Sequence, residues 1–290
     1  MLAWLLAASL LGTGEQRGGT TIVAIKTRSG IVVAGDARAV GSDGGVQPDA
    51  IKVLEVRGCV VGTWGMVHGW FDFPPHFETK ASQPRRVTYD FEPFVREATA
   101  GMASGTPHEI AAALKHALEN FYTEWRYYAH DRRAPAFARG PDYLGFLVAG
   151  YEQGRAIVLT VRIPRDPASN SIRPPEMEER IPATSGFSVA GASASIQRVT
   201  SAEGKERQIA RRLAPSATEK ALQAGWPWLT LEEARRYALT LIFIEAVDDP
   251  GVGFPVRLAT VGPKGEVSME DVSEGPGAPP PALRPSTSGQ

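Results

Sequence analysis

RGGTTIVAIKTRSGIVVAGDARAV, residues 17–40, sets two glycines before two threonines and then reads as strand, tight turn, strand. Both arms, TTIVAIK and IVVAGDARAV, are rich in β-branched side chains that suit a pleated surface, and the RSG turn with Gly30 suits a hairpin. The bare junction Gly18-Gly19 has two readings. Glycine pairs often mark a turn. Alternatively the chain is cut between Gly19 and Thr20, and Thr20 becomes a new N-terminus. A threonine hydroxyl is a poor nucleophile at neutral pH and needs a base beside it. A free α-amine, titrating near ~8, carries that base on the same residue. Cleavage after Gly19 creates the amine, the Thr20 hydroxyl is placed to make the cut, and a residue without Cβ allows the strained turn that the attack requires.

Outward from the hairpin, GSDGGVQPDA (41–50) reads as a glycine-rich loop, and KVLEV (52–56) and CVVGTW (59–64) as two short strands. Residues 67–90 read as a long Pro-containing loop. A first helix is expected over residues 90–103 and a stronger one over 106–128. In the second, Thr106 is the N-cap, Pro107 takes the first helical position and Glu109 completes a capping box. Ile110, Leu114, Ala117, Leu118, Phe121, Trp125 and Tyr128 share one face of it, a core stripe. Strands follow at 143–151, 155–164 and 186–193, then a helical stretch over 195–214. A second capping box, Thr230 with Glu233, opens a helix over 231–249, and 254–261 with 265–272 close the chain as a hairpin. The order ββββ–αα–ββ–αα–ββ groups strands with strands and helices with helices, which argues an α+β layered fold in one domain.

The composition narrows the function. An apolar fraction of 43% and a charged fraction of 22% over 290 residues suit a globular chain with a sizeable core. At a net charge of −1, with its Arg-Arg pairs scattered among acids, the chain shows no basic stripe for nucleic acid. The single Cys59 excludes an intramolecular disulfide and, within a strand-like run, reads as a small buried residue. The histidines 68, 76, 108, 116 and 130 lack metal-ligand spacing, so neither a metal nor a cofactor is expected. Residues 1–12 (MLAWLLAASLLG) are too short an apolar run for a stable membrane span and lack a basic flank. A removed propeptide over 1–19 is the leading reading and export the lesser one, which leaves a cytoplasmic protein. Residues 273–290, rich in Pro, Gly and Ser, are expected to be a disordered tail.

Gly19-Thr20-Thr21, GIVVAGDARA (30–39) and IKVLEV (51–56) together resemble the proteasome β-type subunits and HslV-like peptidases, N-terminal-nucleophile threonine hydrolases. The resemblance covers roughly residues 19 to 270 and fits best a divergent bacterial proteasome-like protease. It implies a four-layer αββα sandwich, a peptidase domain over 20–272, and an acyl-enzyme on Thr20. It also implies that Lys52 favours deprotonation by charge proximity and that Asp36 holds Lys52 charged and oriented. By analogy Ser193 and Asp249 hydrogen-bond the Thr20 amine, with Asp248 competing for the second place. A backbone N–H at Gly65 or Met66 forms the oxyanion hole. Ala39, Ala50, Trp64 and His68 fall where such enzymes shape the substrate pocket, and a tryptophan there would shorten it in favour of small or unusual side chains. Family members form rings fed by a separate ATPase, so a homo-oligomeric ring acting on polypeptides is implied.

Two departures stand out. The fourth strand ends in GTWGM rather than small-small-Gly, and Val252-Gly253-Phe254 replaces the family's S-G-G, which removes one hydroxyl from the amine-binding set. Two competing readings remain: an amidohydrolase of the same fold acting on a small amide, and a non-catalytic ring subunit that keeps its leader.

Overall fold

The structure, a computed structural model, describes residues 20–40, 46–47, 49–73, 85–128, 142–166, 168–169, 171–182, 185–201, 204–224, 226–249 and 251–276. Gly19 with the rest of residues 1–19, His76, His130 and the tail from 277 onward lie outside the described residues, as do the side chains of Trp125 and Tyr128.

In chain order the strands are β1 (Thr21–Lys26), β2 (Ile31–Asp36), β3 (Ala39–Val40), β4 (Val46–Gln47), β5 (Val53–Val56), β6 (Cys59–Gly65), β7 (His68–Phe73) and β8 (Arg85–Asp90). Helices α1 (Phe91–Ala98) and α2 (Pro107–Tyr128) follow, then β9 (Asp142–Glu152), β10 (Arg155–Pro164), β11 (Glu176–Glu179) and β12 (Gly186–Gly191). Helices α3 (Ala194–Ser201), α4 (Lys205–Leu213) and α5 (Pro215–Glu219) lead through a π-helical turn (Lys220–Ala224) and a 3₁₀ turn (Trp226–Trp228) into α6 (Leu231–Asp248). The hairpin β13 (Val256–Val261) and β14 (Val267–Val272) closes the chain.

Two five-stranded sheets form, ordered β12-β1-β2-β13-β14 and β11-β10-β9-β6-β5. All their pairings are antiparallel. The central strands are apolar on both faces because both faces are covered. In β1, Ile22 and Ala24 enter a cluster shared with Val60, Leu147 and Val158 of the other sheet, whereas Val23 and Ile25 pack with Leu241, Ile242 and other residues of α6. The second sheet does the same: Phe146 and Val148 of β9 meet Leu114 and Leu118 of α2 on the outer side. The helix starts are capped as their residues dictate. Thr106 N donates to Glu109 Oε2 at 2.8 Å, and Thr230 with Glu233 makes a complete capping box.

The expectation of a four-layer αββα sandwich of the N-terminal-nucleophile type is corrected. The chain is a mixed α/β fold with two antiparallel sheets, two further two-stranded ribbons outside them, and six α-helices among the described residues. The ribbons explain part of the difference. Residues 41–50 contribute β4, which pairs with β3, and the segment 67–90 contributes β7 and β8, which pair His68 with Asp90 through Phe73 with Arg85. Aromatic and β-branched residues inside those apparent loops favour pairing over coil. The helical stretch over 195–214 divides at Gly204, the extended N-cap of α4, and β11, α5 and the π and 3₁₀ turns were not anticipated. Among the described residues no helix is long and apolar enough to cross a membrane. Cys59 is buried and free, and burial pushes its thiol up to about 12.

Candidate active site

Thr20 immediately precedes β1 and is 1% exposed. Its carbonyl accepts the Ala192 N–H at 2.8 Å, and the Thr21 hydroxyl donates to the Ala192 carbonyl at 2.7 Å. This double link continues the β1–β12 ladder, in which Thr21 faces Gly191. Gly191 has φ +81°, and a Cβ there would collide with the Thr20 carbonyl, so only glycine permits the approach.

Asp36 ends β2, the strand paired with β1, so hairpin register brings it beside the start of β1. Its Oδ1 accepts the Thr21 N–H at 2.8 Å; its Oδ2 accepts the Arg38 N–H and Lys52 Nζ, each at 3.1 Å. Lys52, just before β5, also donates to the Arg38 carbonyl. Asp36 and Lys52 are 0% and 1% exposed. Burial pushes the Asp36 carboxyl up against the opposing pull of the Lys52 charge and the two backbone donors. Burial likewise pushes the Lys52 ammonium down, while Asp36 and then Asp249 pull it back up. Lys52 is thus a strongly desolvated cation whose charge depends on its carboxylate neighbours. Such a group beside a hydroxyl and an amine favours the deprotonated forms of both.

Asp249 caps the C-terminus of α6, and its Oδ1 accepts the Gly251 N–H at 2.8 Å. The neighbouring Asp248 is engaged elsewhere, accepting from the Ser195 hydroxyl at 2.7 Å and from Arg198 at 2.8 Å. Ser193 directly follows Ala192; its hydroxyl accepts from the Gln197 amide at 3.1 Å, and its carbonyl accepts the Gln197 N–H. At Val252-Gly253-Phe254, Val252 is in the core, and a Cβ on Gly253 would press on the Arg38 guanidinium.

Gly65 ends β6 with φ +84° in a place where a Cβ would collide with the Tyr143 carbonyl. Met66 is fully buried, and its sulfur accepts from the Tyr143 hydroxyl at 3.7 Å. Trp64 is 3% exposed and belongs to the cluster between the sheets. Its indole lies against Gly145, its Nε1 donates to Asp142 Oδ2 at 3.2 Å, and its Cβ sits 3.3 Å from where a Gly191 Cβ would stand. The end of β6 therefore lies beside the Gly191–Thr20 contact. Ala39 is buried in β3, and Ala50 is half-buried and donates its N–H to the Ala37 carbonyl. His68 is half-exposed, 3.8 Å from Asp90. Among the described residues no group of three or more His, Cys, Asp and Glu gathers as a metal site.

The structure thus brings Thr20, Asp36 and Lys52 into one buried assembly, sets Asp249 within the field of Lys52, and places Ser193 one residue beyond the link to Thr20. Sequence reasoning missed Ala192, the Arg38 backbone and Glu245, whose Oε2 accepts the N–H groups of Ser195 and Ile196. A buried acid inside the apolar run LIFIEAV was the available signal for Glu245.

No family model matches the sequence, and no curated protein does. The fold is similar to that of solved Anbu structures. The Gly-1 mutant of Anbu from Hyphomicrobium sp. strain MC1 is 15% identical with a TM-score of 0.51, over 88% of this chain and 87% of that one. Anbu, described as an ancestral beta-subunit, from Yersinia bercovieri is 13% identical with a TM-score of 0.51, over the same shares. These neighbours correct the resemblance to proteasome β-type and HslV-like peptidases: what the chain shares at such identities is the Anbu fold. The physical reason lies in the motif. The separation of Thr20 and Asp36 follows from the β1–β2 hairpin, and Lys52 stands just before β5 of the second sheet, so the motif reports the packing of these strands and does not single out one family.

Proposed function

We propose that this protein is a threonine-type endopeptidase subunit that cuts itself between Gly19 and Thr20 and then hydrolyses peptide bonds through an acyl-enzyme on Thr20. The observation that carries the reading is the buried Lys52–Asp36 pair tied to the backbone of Thr21, the residue after the nucleophile. A desolvated ammonium at this place has a chemical use beside a hydroxyl that must lose its proton, and burying it otherwise carries only cost.

In self-processing, Thr20 Oγ attacks the Gly19 carbonyl carbon, and the acyl group moves from nitrogen to oxygen. Water then hydrolyses the ester, leaving a carboxylate on Gly19 and a free amine on Thr20. In turnover the amine takes the Oγ proton as Oγ adds to the substrate carbonyl, and returns it to the leaving amine. Water repeats the sequence on the acyl-enzyme and restores the hydroxyl. Lys52 lowers the cost of the alkoxide-like oxygen, Asp36 orients Lys52, and the N–H of Gly65 or Met66 receives the oxyanion. Ser193 and Asp249 steady the amine, and the partly exposed Ala50 and His68 line the substrate approach, whereas Ala39 and Trp64 are buried and shape it only through packing. On this reading residues 20–272 are the peptidase domain, 1–19 a leader and 273–290 a tail. One structural neighbour is an ancestral beta-subunit, which supports placing this chain in a homo-oligomeric ring, and a cytoplasmic site of action goes with that reading. The chain carries no nucleotide motif of its own, so unfolding of polypeptide substrates falls to a separate ATPase.

A second reading, a ring subunit without peptidase activity, draws on Val252-Gly253-Phe254, which offers no hydroxyl to the amine and where Arg38 fills the space over Gly253. Intact mass and N-terminal sequencing of the purified assembly, wild type beside Thr20→Ala, separate the two. A wild type beginning at Thr20 beside a variant that keeps residue 19 supports the peptidase. Identical N-termini in the two proteins overturn it in favour of the non-catalytic subunit.

A further inference from the structure

Glu245 is 3% exposed and lies outside the machinery assigned above. A carboxylate is expensive to bury unless it is hydrogen-bonded, so its partners indicate what it is for. Its Oε2 accepts the N–H of Ser195 at 2.9 Å and of Ile196 at 3.1 Å, the opening residues of α3. Ionised acceptors make the stronger hydrogen bonds, and a helix N-terminus favours negative charge. Burial pushes the carboxyl up, while the two N–H donors pull it back.

The same residue is bound at its backbone: the Glu245 carbonyl accepts the Asp249 N–H at 2.8 Å. Glu245 therefore holds two segments at once. By its side chain it fixes the turn from Ala192 to Ile196, whose Ala192 bonds Thr20 and Thr21. Its place one turn before the end of α6, where its carbonyl accepts the ordinary helical bond from the Asp249 N–H, ties that turn to the cap carrying Asp249, which acts on Lys52. A local cap was available in Ser193, yet that hydroxyl is taken up by Gln197. An acid reaching across from α6 does what a local cap does not: it ties the segment that bonds Thr20 to the helix that ends in Asp249.

Resting on the peptidase reading, we propose that Glu245 is a positioning residue for Thr20, joining the Ala192–Ser195 turn to the Asp249 cap so that the nucleophile and its amine are held in attacking geometry. It touches neither substrate nor reacting atoms, and acts through Ala192 and Asp249.

The experiment follows the full-length chain with time, scoring by intact mass the fraction that begins at Thr20, for wild type, Glu245→Ala, Glu245→Gln and Thr20→Ala. A misplacement of about 1 Å costs on the order of 10²-fold, and that is the fall in self-cleavage rate expected for Glu245→Ala. Glu245→Gln keeps an acceptor oxygen and loses the charge, so its rate is expected roughly tenfold below wild type, between the two. On mature chains the same ranking appears in kcat, with KM for a fluorogenic peptide unchanged within about twofold, a split that general loosening of the fold does not produce. A folded Glu245→Ala protein that processes at the wild-type rate overturns the proposal. If Glu245→Ala does not fold, wild-type processing by the isosteric Glu245→Gln overturns it instead. A wild type that never begins at Thr20 overturns the peptidase reading and this inference together, and is thereby distinct from failure of the inference alone.

Discussion

Lys52 Nζ stands 3.1 Å from Asp36 Oδ2, with the two side chains 1% and 0% exposed, and the same carboxylate holds the Thr21 N–H at 2.8 Å. The start of β1, the acid and the cation are therefore one buried unit, made by the β1–β2 hairpin and the residue that enters β5. Removing one partner leaves the other charge buried without compensation. Lys52→Met is expected to destabilise the fold by about 3–5 kcal/mol, whereas the double variant Asp36→Asn with Lys52→Met recovers a large part of that loss. Urea denaturation of the three proteins measures it. Equal losses in the single and double variants would show that the pair is not electrostatically coupled in the fold. Both variants abolish self-cleavage on the peptidase reading.

Gly191 tests the steric side of the same unit. Its φ of +81° and its closeness to the Thr20 carbonyl make alanine doubly unsuitable. Gly154→Ala is the control, since Gly154 has φ +74° with nothing within 4 Å of a new Cβ. Each variant meets the left-handed backbone penalty of roughly 1–2 kcal/mol, but only Gly191→Ala displaces Thr20. On the peptidase reading, self-cleavage is expected to fall on the order of 10²-fold for Gly191→Ala and to stay at the wild-type rate for Gly154→Ala. Melting temperatures of the two variants establish that each is folded. Equal processing rates would mean that the close approach of Gly191 is not needed.

How much of this was legible in the sequence depends on how far each relationship reaches along the chain. Thr20 and Asp36 stand at the two ends of one hairpin, so their spacing is imposed by local geometry and can be read directly, whereas Lys52 enters β5 of the other sheet and was legible only through its place in the motif. The two capping boxes are legible for the same reason as the hairpin, since the partners in each are only three positions apart. The link from Thr21 to Ala192 crosses 171 residues and that from Ser195 to Glu245 crosses 50, and no local pattern encodes either. The segment that forms the β7–β8 ribbon reads as a loop in the sequence because its Pro residues outweigh the aromatic and β-branched residues beside them. The neighbouring acids Asp248 and Asp249 could not be separated in sequence; in the structure one pairs with Ser195 and Arg198, and the other takes the Gly251 N–H and pulls on the Lys52 charge.

Glu233 carries the acid sensitivity of the last helix. It accepts from Lys220 Nζ at 2.6 Å, from the Ser216 hydroxyl at 2.6 Å and from the Thr230 N–H at 2.9 Å. The Lys220 bond first, and the Ser216 hydroxyl next, hold its carboxyl down to about 2. A carboxylate lowered in the folded state contributes stability that is fully present above its unfolded value of 4.5 and is lost as pH falls through about 2. Glu233→Gln removes that contribution, so its unfolding free energy falls less steeply than that of wild type between those two pH values. At pH 7 the variant also forfeits the ionic half of the capping box, a loss of about 1 kcal/mol, which lowers Tm by roughly 2–4 °C. Urea titrations at pH 7, 5, 4 and 3 read both effects, and the Thr230→Ala variant isolates the cap, because it leaves Lys220 and Ser216 on the carboxylate. Parallel acid limbs for wild type and Glu233→Gln would assign the acid sensitivity to other carboxylates.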